Sequence, residues 1–517
     1  MDHAATEPQE IELKLAIDPT ALPRLKRHAA LLAAAAGPAR SARVTSVYYD
    51  TPEFDLRDAG VVLRVRRDGR RWLQTLKGAG SSAAGLHQRP EYEWPLSMPR
   101  LDSTRFAATP WQKLLGQTRV RDALKPVFRT EIMRTSQPLA FTDGTRAVLC
   151  IDVGYVQAGR RRSAINEIEI ELSAGRALPL FELAQALAAD LPLALSPMSK
   201  AERGYRLLEQ RPALPLRARA VPLAADASVA QALAAIANDC MAQIGANADG
   251  VGVGADTEFL HQMRIGVRRL RSLIRLTRGV SATELPTLPA PQAEELRWLA
   301  ASLGPARDWD VFVDEVLPPI ARSFRVRREL TSIRIRAARR RAQQRAKAQE
   351  AVASPRFLQL LLALGAFFAD IAQAATPDAA APALAFATTL LGQREQKLRK
   401  LGKRLPTATD GERHEVRIAA KKLRYAAEFF SPLFPERRAR AYVRSLSRLQ
   451  SALGVLNDGA SAERLLAELA PPEATIPPRI AYAAGLTRGW IAASQVAGIG
   501  VVDKAWRAFA KRKPFWN

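Results

Sequence analysis

Two periodicities divide the chain. Over residues 9–172 apolar and polar positions alternate with period two, as in Glu10-Ile-Glu12-Leu-Lys14-Leu15, Val61-Val-Leu-Arg64-Val-Arg66 and Trp72-Leu-Gln-Thr-Leu-Lys77. Glu91-Tyr-Glu93-Trp94, Arg146-Ala-Val-Leu-Cys-Ile-Asp152 and Glu167-Ile-Glu169-Ile-Glu171-Leu172 continue it. Each run predicts a strand. The polar face of each strand carries one charge type, all Glu or mostly Arg/Lys, whereas an ordinary half-buried sheet has a mixed, solvated polar face. Five or six such strands closed on themselves enclose a charged lumen, with Leu, Ile and Val packing outward against helices.

After a proline-rich linker at 211–221 the spacing becomes helical almost throughout, in Ala/Leu/Arg-rich sequence. Helices are predicted near 228–245, 256–278, 291–304, 308–348, 355–374, 379–404, 410–431, 437–456, 459–470 and 478–513. Gly250-Val-Gly-Val-Gly254 follows a helical pattern rather than a strand, so it reads as a flexible loop and not as a nucleotide fingerprint. The fold class expected is α+β and multidomain: an N-terminal antiparallel closed β-barrel with flanking helices (1–210), then all-α duplicated helical bundles (222–513, repeats at about 225–370 and 378–513).

The duplication is visible in the residues. His261-Gln-Met-Arg264-Ile265-Gly-Val-Arg268-Arg269-Leu270-Arg271 returns 153 residues later as His414-Glu-Val-Arg417-Ile418-Ala-Ala-Lys421-Lys422-Leu423-Arg424. The spacing 0, +3, +7, +10 puts His261, Arg264, Arg268 and Arg271 on one helical face, and His414, Arg417, Lys421 and Arg424 on the other copy's. Leu303-Gly304-Pro-Ala-Arg307-Asp308 likewise matches Leu453-Gly454-Val-Leu-Asn457-Asp458. Two like-charged stripes repel each other and call for a polyanion. A lone histidine at a helix start is ordinarily a cap or core contact, and the paired placement is what raises a ligand role.

Charge sharpens the division. Residues 1–210 hold 30 Lys/Arg against 24 Asp/Glu, net +6, and residues 211–517 hold 47 against 27, net +20. The helical half therefore faces a polyanion: nucleic acid, a membrane surface or polyphosphate. Its stripes lack the interleaved aromatics that stack bases, which argues against nucleic acid and for a bare phosphate chain. Arg322–Lys347 holds eleven cations and one acid, a solvated helix or more of the same lining. Two cysteines make no disulfide framework or zinc site, no signal peptide is visible, and the apolar stretch Phe357–Ala369 is too short to span a bilayer. A cytoplasmic protein with no membrane partner is expected, associated with polyphosphate granules.

The barrel strands carry candidate chemistry. Glu10 and Glu12 lie on one face of a strand about 7 Å apart; Glu167, Glu169 and Glu171 repeat this, and Asp152 ends a third strand. Such carboxylates are hard oxygen ligands suited to Mg²⁺ or Mn²⁺. Lys14, Arg64, Arg66, Lys77, Arg129 and Lys200 supply charge for phosphate oxygens. The competing reading, solvated outer faces paired across strands, fits any single strand better than it fits the set.

The ordered set Glu10-Ile-Glu12-Leu-Lys14, Leu63-Arg64-Val-Arg66, Leu76-Lys77-Gly78, Glu91-Tyr-Glu93, Phe128-Arg129, Asp152, the Glu-x-Glu run at 167–171 and Ser199-Lys200-Ala-Glu-Arg203 resembles the CYTH family, or triphosphate tunnel metalloenzymes, over about 8–206. Family members hydrolyse inorganic or organic triphosphates, and some are adenylate cyclases. The resemblance implies Mg²⁺ or Mn²⁺ on Glu10, Glu12, Glu169 and Glu171, with Asp152 and Glu167 further candidates. It implies triphosphate on Lys14, Arg64, Arg66, Lys77, Arg129, Lys200 and Arg203, with Lys77, Glu10 and Glu12 catalytic. Which of the three C-terminal glutamates point inward stays open, although alternation puts all three on one side.

The repeated stripe resembles the CHAD domain, a helical module named for its histidines and found beside CYTH domains, over about 222–512. Members bind inorganic polyphosphate along a basic groove, which implies that role for His261, Arg264, Arg268, Arg271, His414, Arg417, Lys421 and Arg424. The whole resembles bacterial CYTH–CHAD inorganic triphosphatases. The expected function is a metal-dependent inorganic triphosphatase joined to a polyphosphate-binding domain. The alternatives are a non-enzymatic polyphosphate scaffold and a barrel acting on thiamine triphosphate or cyclising ATP.

Overall fold

A computed structural model describes residues 8–516 except 211, 255, 278–285, 325–327, 329, 375 and 472–475. The chain divides into two compact units, Met1–Leu214 with Ser354–Ala369, and Pro215–Ala353 with Asp370–Asn517.

In the first unit eight strands close into an antiparallel barrel. They are β1 (Gln9–Ile17), β2 (Arg40–Asp50), β3 (Val62–Asp68), β4 (Arg71–Lys77), β6 (Leu86–Leu96), β7 (Lys125–Ala140), β8 (Arg146–Ala158) and β9 (Arg161–Ala174). Their order is β1-β9-β8-β7-β2-β3-β4-β6, and β6 pairs back onto β1 to complete the ring. Two short strands extend it, β5 (Ser81–Ala83) on β6 and β10 (Leu193–Leu195) on β1. The sequence pattern predicts five or six strands. The two it passes over, β2 and β7, carry Ser, Thr and Arg mixed on their polar faces, so neither shows the single-charge signature.

Alternation explains both faces of the wall. Val61, Leu63 and Leu76 turn outward into a buried cluster with Leu56, Phe106, Leu115 and Val120 on short helices. Arg64, Arg66 and Lys77 have the opposite parity and face the lumen. The lumen is charged along only part of its length. Phe128 and Ile132 share Arg134's parity on β7, and Ile165 shares Glu169's on β9. They pack with Val44, Val156 and Ala158 into an apolar plug, against Ala201 and Tyr205 of the helix Lys200–Glu209. A Cβ on Gly204 would lie 2.3 Å from the Phe128 ring, so glycine lets this helix seat against it. The expectation that apolar side chains all pack outward is therefore corrected.

One helix of this unit comes from far along the chain. Pro355–Ile371 has Phe357, Leu358, Leu361, Leu362, Leu364 and Phe368 buried. Gln359 donates to the Gln185 carbonyl of the helix Leu178–Asp190 at 2.9 Å. A Cβ on Gly365 would lie 2.4 Å from the Phe181 ring and 3.0 Å from Ala84.

The described residues of the second unit are helical with no named strand. The basic stripes sit on Thr257–Thr277 and Asp410–Phe430, the latter opened by a Thr409/Glu412 capping box. A single helix expected at 308–348 is broken. Ala290–Val311 passes through a π-turn, Phe312–Val316, into Leu317–Ser323, and a new helix runs Thr331–Ala353. Pro318 and Pro319 lack the N–H groups that regular helix hydrogen bonds use, and the turn just before them is the one that widens to π. A break expected at 457–458 does not occur, and Glu436–Leu469 is continuous. Gly459 is held in it because a Cβ there would lie 2.7 Å from Gln495.

The loop expected at 250–254 is helical as far as Gly252, since bare Gly250 admits the Phe259 ring that a Cβ would meet at 2.2 Å. Part of the proline-rich linker is pinned: Asn247 bonds both the N–H and the carbonyl of Leu216, at 3.1 and 3.0 Å. Among the described residues no single helix is long and apolar enough to cross a membrane.

Candidate functional site

The barrel lumen holds a cavity of about 280 Å³ with a lining of opposed charges. Six carboxylates reach it: Glu10, Glu12, Glu91, Glu93, Glu169 and Glu171. So do seven cations: Lys14, Arg64, Arg66, Lys77, Arg89, Arg134 and Lys200. Register puts Glu12 opposite Glu171 and Lys14 opposite Glu169 across β1 and β9, so the alternation seen in the sequence becomes one polar surface.

The charges satisfy one another. Lys77 Nζ donates to both Glu10 oxygens at 2.6 and 2.7 Å and lies 3.1 Å from Glu91. Arg89 donates to Glu10 at 2.8 Å and Glu12 at 3.1 Å. Lys14 sits 3.3 Å from Glu12 and 2.9 Å from Glu169. Such pairs must be well satisfied, because burying an unpaired charge is costly.

Titration follows from these neighbours. Burial alone would raise Glu10, but Lys77 and Arg89 hold its carboxyl far below the usual range. Burial raises Glu171 and the Glu10 and Glu91 carboxylates add to it, pushing it up to about 7. Burial together with Arg64 and Arg89 lowers Lys77, favouring the neutral amine more than in water.

Deeper lies a second acidic group. Oxygens of Asp152, Glu167 and Glu169 come within 4.8 Å of one another, a spacing that could hold a metal ion. Their space is taken by cations of the chain. Lys200 Nζ lies 2.7, 2.5 and 2.8 Å from the three in turn. Arg134 grips Asp152 through two nitrogens, at 2.7 and 2.6 Å, and reaches Glu169 at 2.6 Å. Asp152 and Glu167 do not reach the cavity lining, unlike Glu169.

Two expected phosphate ligands lie elsewhere. Arg129 is on the outer face of β7, half-exposed, 3.2 Å from Glu131 and 3.3 Å from Gln157. It is five residues from Arg134, and an odd separation puts the two on opposite faces. Arg203 donates to the Ala164 carbonyl at 2.8 Å and lies 3.5 Å from Glu167, behind the lining. The cavity cations not predicted from sequence are Arg89 and Arg134. Arg89 precedes Glu91 by two residues on the same strand face, so extending the Glu91-x-Glu93 alternation backward would have found it. Arg134 sits on β7, whose mixed polar face hides it.

In the helical unit a groove of about 460 Å³ is lined by His261, Arg264, Arg268 and Arg271 of one stripe and by Arg417 and Lys421 of the other. Arg307, Asp308 and Asp458 from the second repeated element join them. Asp308 lies 3.7 Å from Arg264 and 3.3 Å from Arg464. Burial, then Arg417 and Arg268, push Lys421 down to about 8.

Two residues of the expected second stripe leave this groove. Arg424 is drawn to Gln450 at 2.5 Å and Glu428 at 2.6 Å, because an acid one turn along its own helix competes for it. His414 is exposed and lines an adjoining pocket of about 410 Å³ with Arg413 and Arg417. Of the basic run at 322–347, Arg341 and Arg345 pair with Asp314 and Asp310 at 3.0 and 2.6 Å.

A closed barrel with an acid–base lumen, followed by a duplicated helical unit with a basic groove, defines a class, and comparison with known proteins agrees. Residues 8–205 match the CYTH domain and 235–467 the CHAD domain. The chain belongs to the proteins in which a CYTH domain is followed by a CHAD domain. It is 33% identical over 202 residues to an inorganic triphosphatase of Haemophilus influenzae, a match covering 38% of this chain and 55% of that one. An uncharacterized protein of Mycobacterium tuberculosis is 33% identical over 186 residues, 33% of this chain and 34% of that one. The chain thus spans about half the length of the first of these relatives and a third of the second. The crystal structure of the CHAD domain from the plant Ricinus communis matches with a TM-score of 0.51 and 34% identity, covering 57% of this chain and 97% of that one.

Proposed function

We propose that the barrel is a metal-dependent inorganic triphosphatase and that the helical unit binds inorganic polyphosphate. The observation that carries the first part is the lumen, where six carboxylates and seven cations line one small cavity. Similarity to the H. influenzae inorganic triphosphatase supports it. A phosphate chain uses all the cations, and a hard divalent cation uses the carboxylates.

Glu10, Glu12, Glu169 and Glu171 offer hard oxygen ligands on one lining, and burial, then the Glu10 and Glu91 carboxylates, push Glu171 up to about 7, so added positive charge beside it is favoured. These four would hold Mg²⁺ or Mn²⁺, which when bound would neutralise phosphate oxygens and orient the chain.

The remaining work falls to the lining cations. Arg64, Arg66 and Arg134 present fork-shaped donors to phosphate oxygens, and Lys14 and Lys200 present point charges. Lys77 is placed to take the proton of an attacking water on Nζ, since burial and its arginine neighbours lower its hold on a proton. The apolar plug beyond excludes bulk water from that end. One aromatic ring, Tyr48, lies among the lining residues, so a base or thiazolium has no second face to stack on. That favours inorganic over organic triphosphate.

For the helical unit, six cations of two repeats around one groove support an extended polyanion rather than a compact ligand. We place the protein in the cytoplasm on the same reading. The experiment is phosphate release from tripolyphosphate, longer polyphosphate, ATP and thiamine triphosphate, each with Mg²⁺ and Mn²⁺. Fastest release from tripolyphosphate, lost on chelation, supports the proposal; equal inertness of all four overturns it.

A further inference from the structure

Arg89 joins the two glutamates that open the barrel. Its Nε donates to Glu10 Oε2 at 2.8 Å and its Nη2 to Glu12 Oε1 at 3.1 Å. Glu10 and Arg89 are direct cross-strand partners in the β1–β6 pair that closes the ring. The other cations on these acids reach only one of the two: Lys77 holds Glu10 with Glu91, and Lys14 holds Glu12 with Glu169. Among the described residues Arg89 is the cation that bridges Glu10 to Glu12. It also lines the cavity beside Arg64 and Arg66.

We propose that Arg89 is an exchange residue: it stands in for a divalent cation between Glu10 and Glu12, and hands those carboxylates over when cation and anion arrive together. The inference rests on the metal-dependent triphosphatase reading for the identity of both ligands. Its physical basis is the cost of leaving a buried charge without its partner. A divalent cation arriving alone must displace the guanidinium into a cavity already crowded by Arg64 and Arg66. A triphosphate arriving alone must pull Arg89 away and leave two carboxylates facing an anion. When both arrive, the cation takes the carboxylates and the phosphate takes the guanidinium. Each ligand then removes the obstacle to the other, so the coupling is positive and, by linkage, equal in both directions.

The test uses the full-length protein and calorimetric binding rather than turnover. Mn²⁺ is titrated without any phosphate compound, triphosphate is titrated in chelator, and Mn²⁺ is titrated in the presence of the non-hydrolysable imido analogue of triphosphate. In the wild type each ligand should tighten the other by about 5–150-fold. In Arg89→Gln, Mn²⁺ alone should bind about tenfold tighter than in wild type, within that same coupling range, and most of the mutual tightening should vanish. Mn²⁺ binding to Arg89→Gln that is equal to or weaker than wild type overturns the proposal. Should Arg89→Gln melt early, Arg89→Lys keeps the charge but cannot span both carboxylates. It must then shift Mn²⁺ binding the same way by a smaller factor, and no shift overturns the idea. Wild-type turnover of triphosphate without mutual tightening sinks this inference alone. Tightening without turnover leaves it standing and sinks the triphosphatase reading.

Discussion

Glu10 and Glu12 are each held by two cations of the chain, so removing their charge leaves Lys77, Arg89 and Lys14 short of buried partners. Glu10→Gln with Glu12→Gln is expected to bring triphosphate hydrolysis to background, with far-UV dichroism close to wild type and a lowered melting temperature. Turnover near wild type in that double variant removes the acidic site from the chemistry. Lys77→Ala is expected to lower kcat by about 10²–10⁴-fold, the usual share of a positioned base. Lys421 carries a pH prediction. Burial and its arginine neighbours press it down to about 8, and a bound polyanion restores its charge. Polyphosphate binding should therefore take up a proton and weaken as pH rises through 8, and Lys421→Arg should flatten that slope. The sign for stability is the opposite: a depressed lysine favours folding above its unfolded pKa, and that contribution is lost as pH falls through 8. At this scale the sequence is read well where charge alternates strictly, as at Glu10, Glu12, Arg64, Arg66, Lys77, Glu169 and Glu171. It misleads at Arg129, where the parity of an unrecognised strand decides which face an arginine takes.

The strands with single-charge faces are legible because both faces of each obey one rule. β2 and β7 are not, since their inward residues include Val44, Phe128 and Ile132 of the plug as well as Arg134. A strand half in an apolar plug and half in a charged lumen has no single pattern to find. Helices show the same limit. The stripe phase correctly brings Arg264, Arg268 and Arg271 to one groove, but cannot foresee that Glu428 and Gln450 would claim Arg424. Paired substitutions test the groove. Arg268→Ala with Arg271→Ala, and Arg417→Ala with Lys421→Ala, are expected to weaken long polyphosphate by similar factors and to flatten the salt dependence of binding. Arg424→Ala should change it little. A loss confined to one pair means the groove is not shared by one chain. Gly365 sets the seat of the helix Pro355–Ile371. Gly365→Val is expected to cost about 1–3 kcal/mol by overpacking Phe181, read by chemical denaturation, and Phe181→Ala should recover part of that loss if the two are coupled.

For the whole molecule, the helix Pro355–Ile371 has the largest consequence. The sequence places it in the helical half by periodicity, and nothing in its composition announces that Ser354–Ala369 belongs to the barrel unit. The polypeptide therefore passes between the two units three times, at 214/215, 353/354 and 369/370. A fragment ending at residue 214 lacks a helix that the barrel unit includes, and is expected to be less soluble and lower-melting than the full chain. Equal melting would show that the helix is dispensable. During synthesis a leading domain ordinarily finishes folding before the next one emerges. Here the last barrel strand is out by residue 195, whereas the helix that completes its unit ends at Ile371. At about 5–20 residues per second, the nascent barrel waits roughly ten seconds or more with its Phe181 side open, while much of the helical unit is already threading out behind it. Vectorial order is thus reversed for this chain: its first domain is completed from within its second.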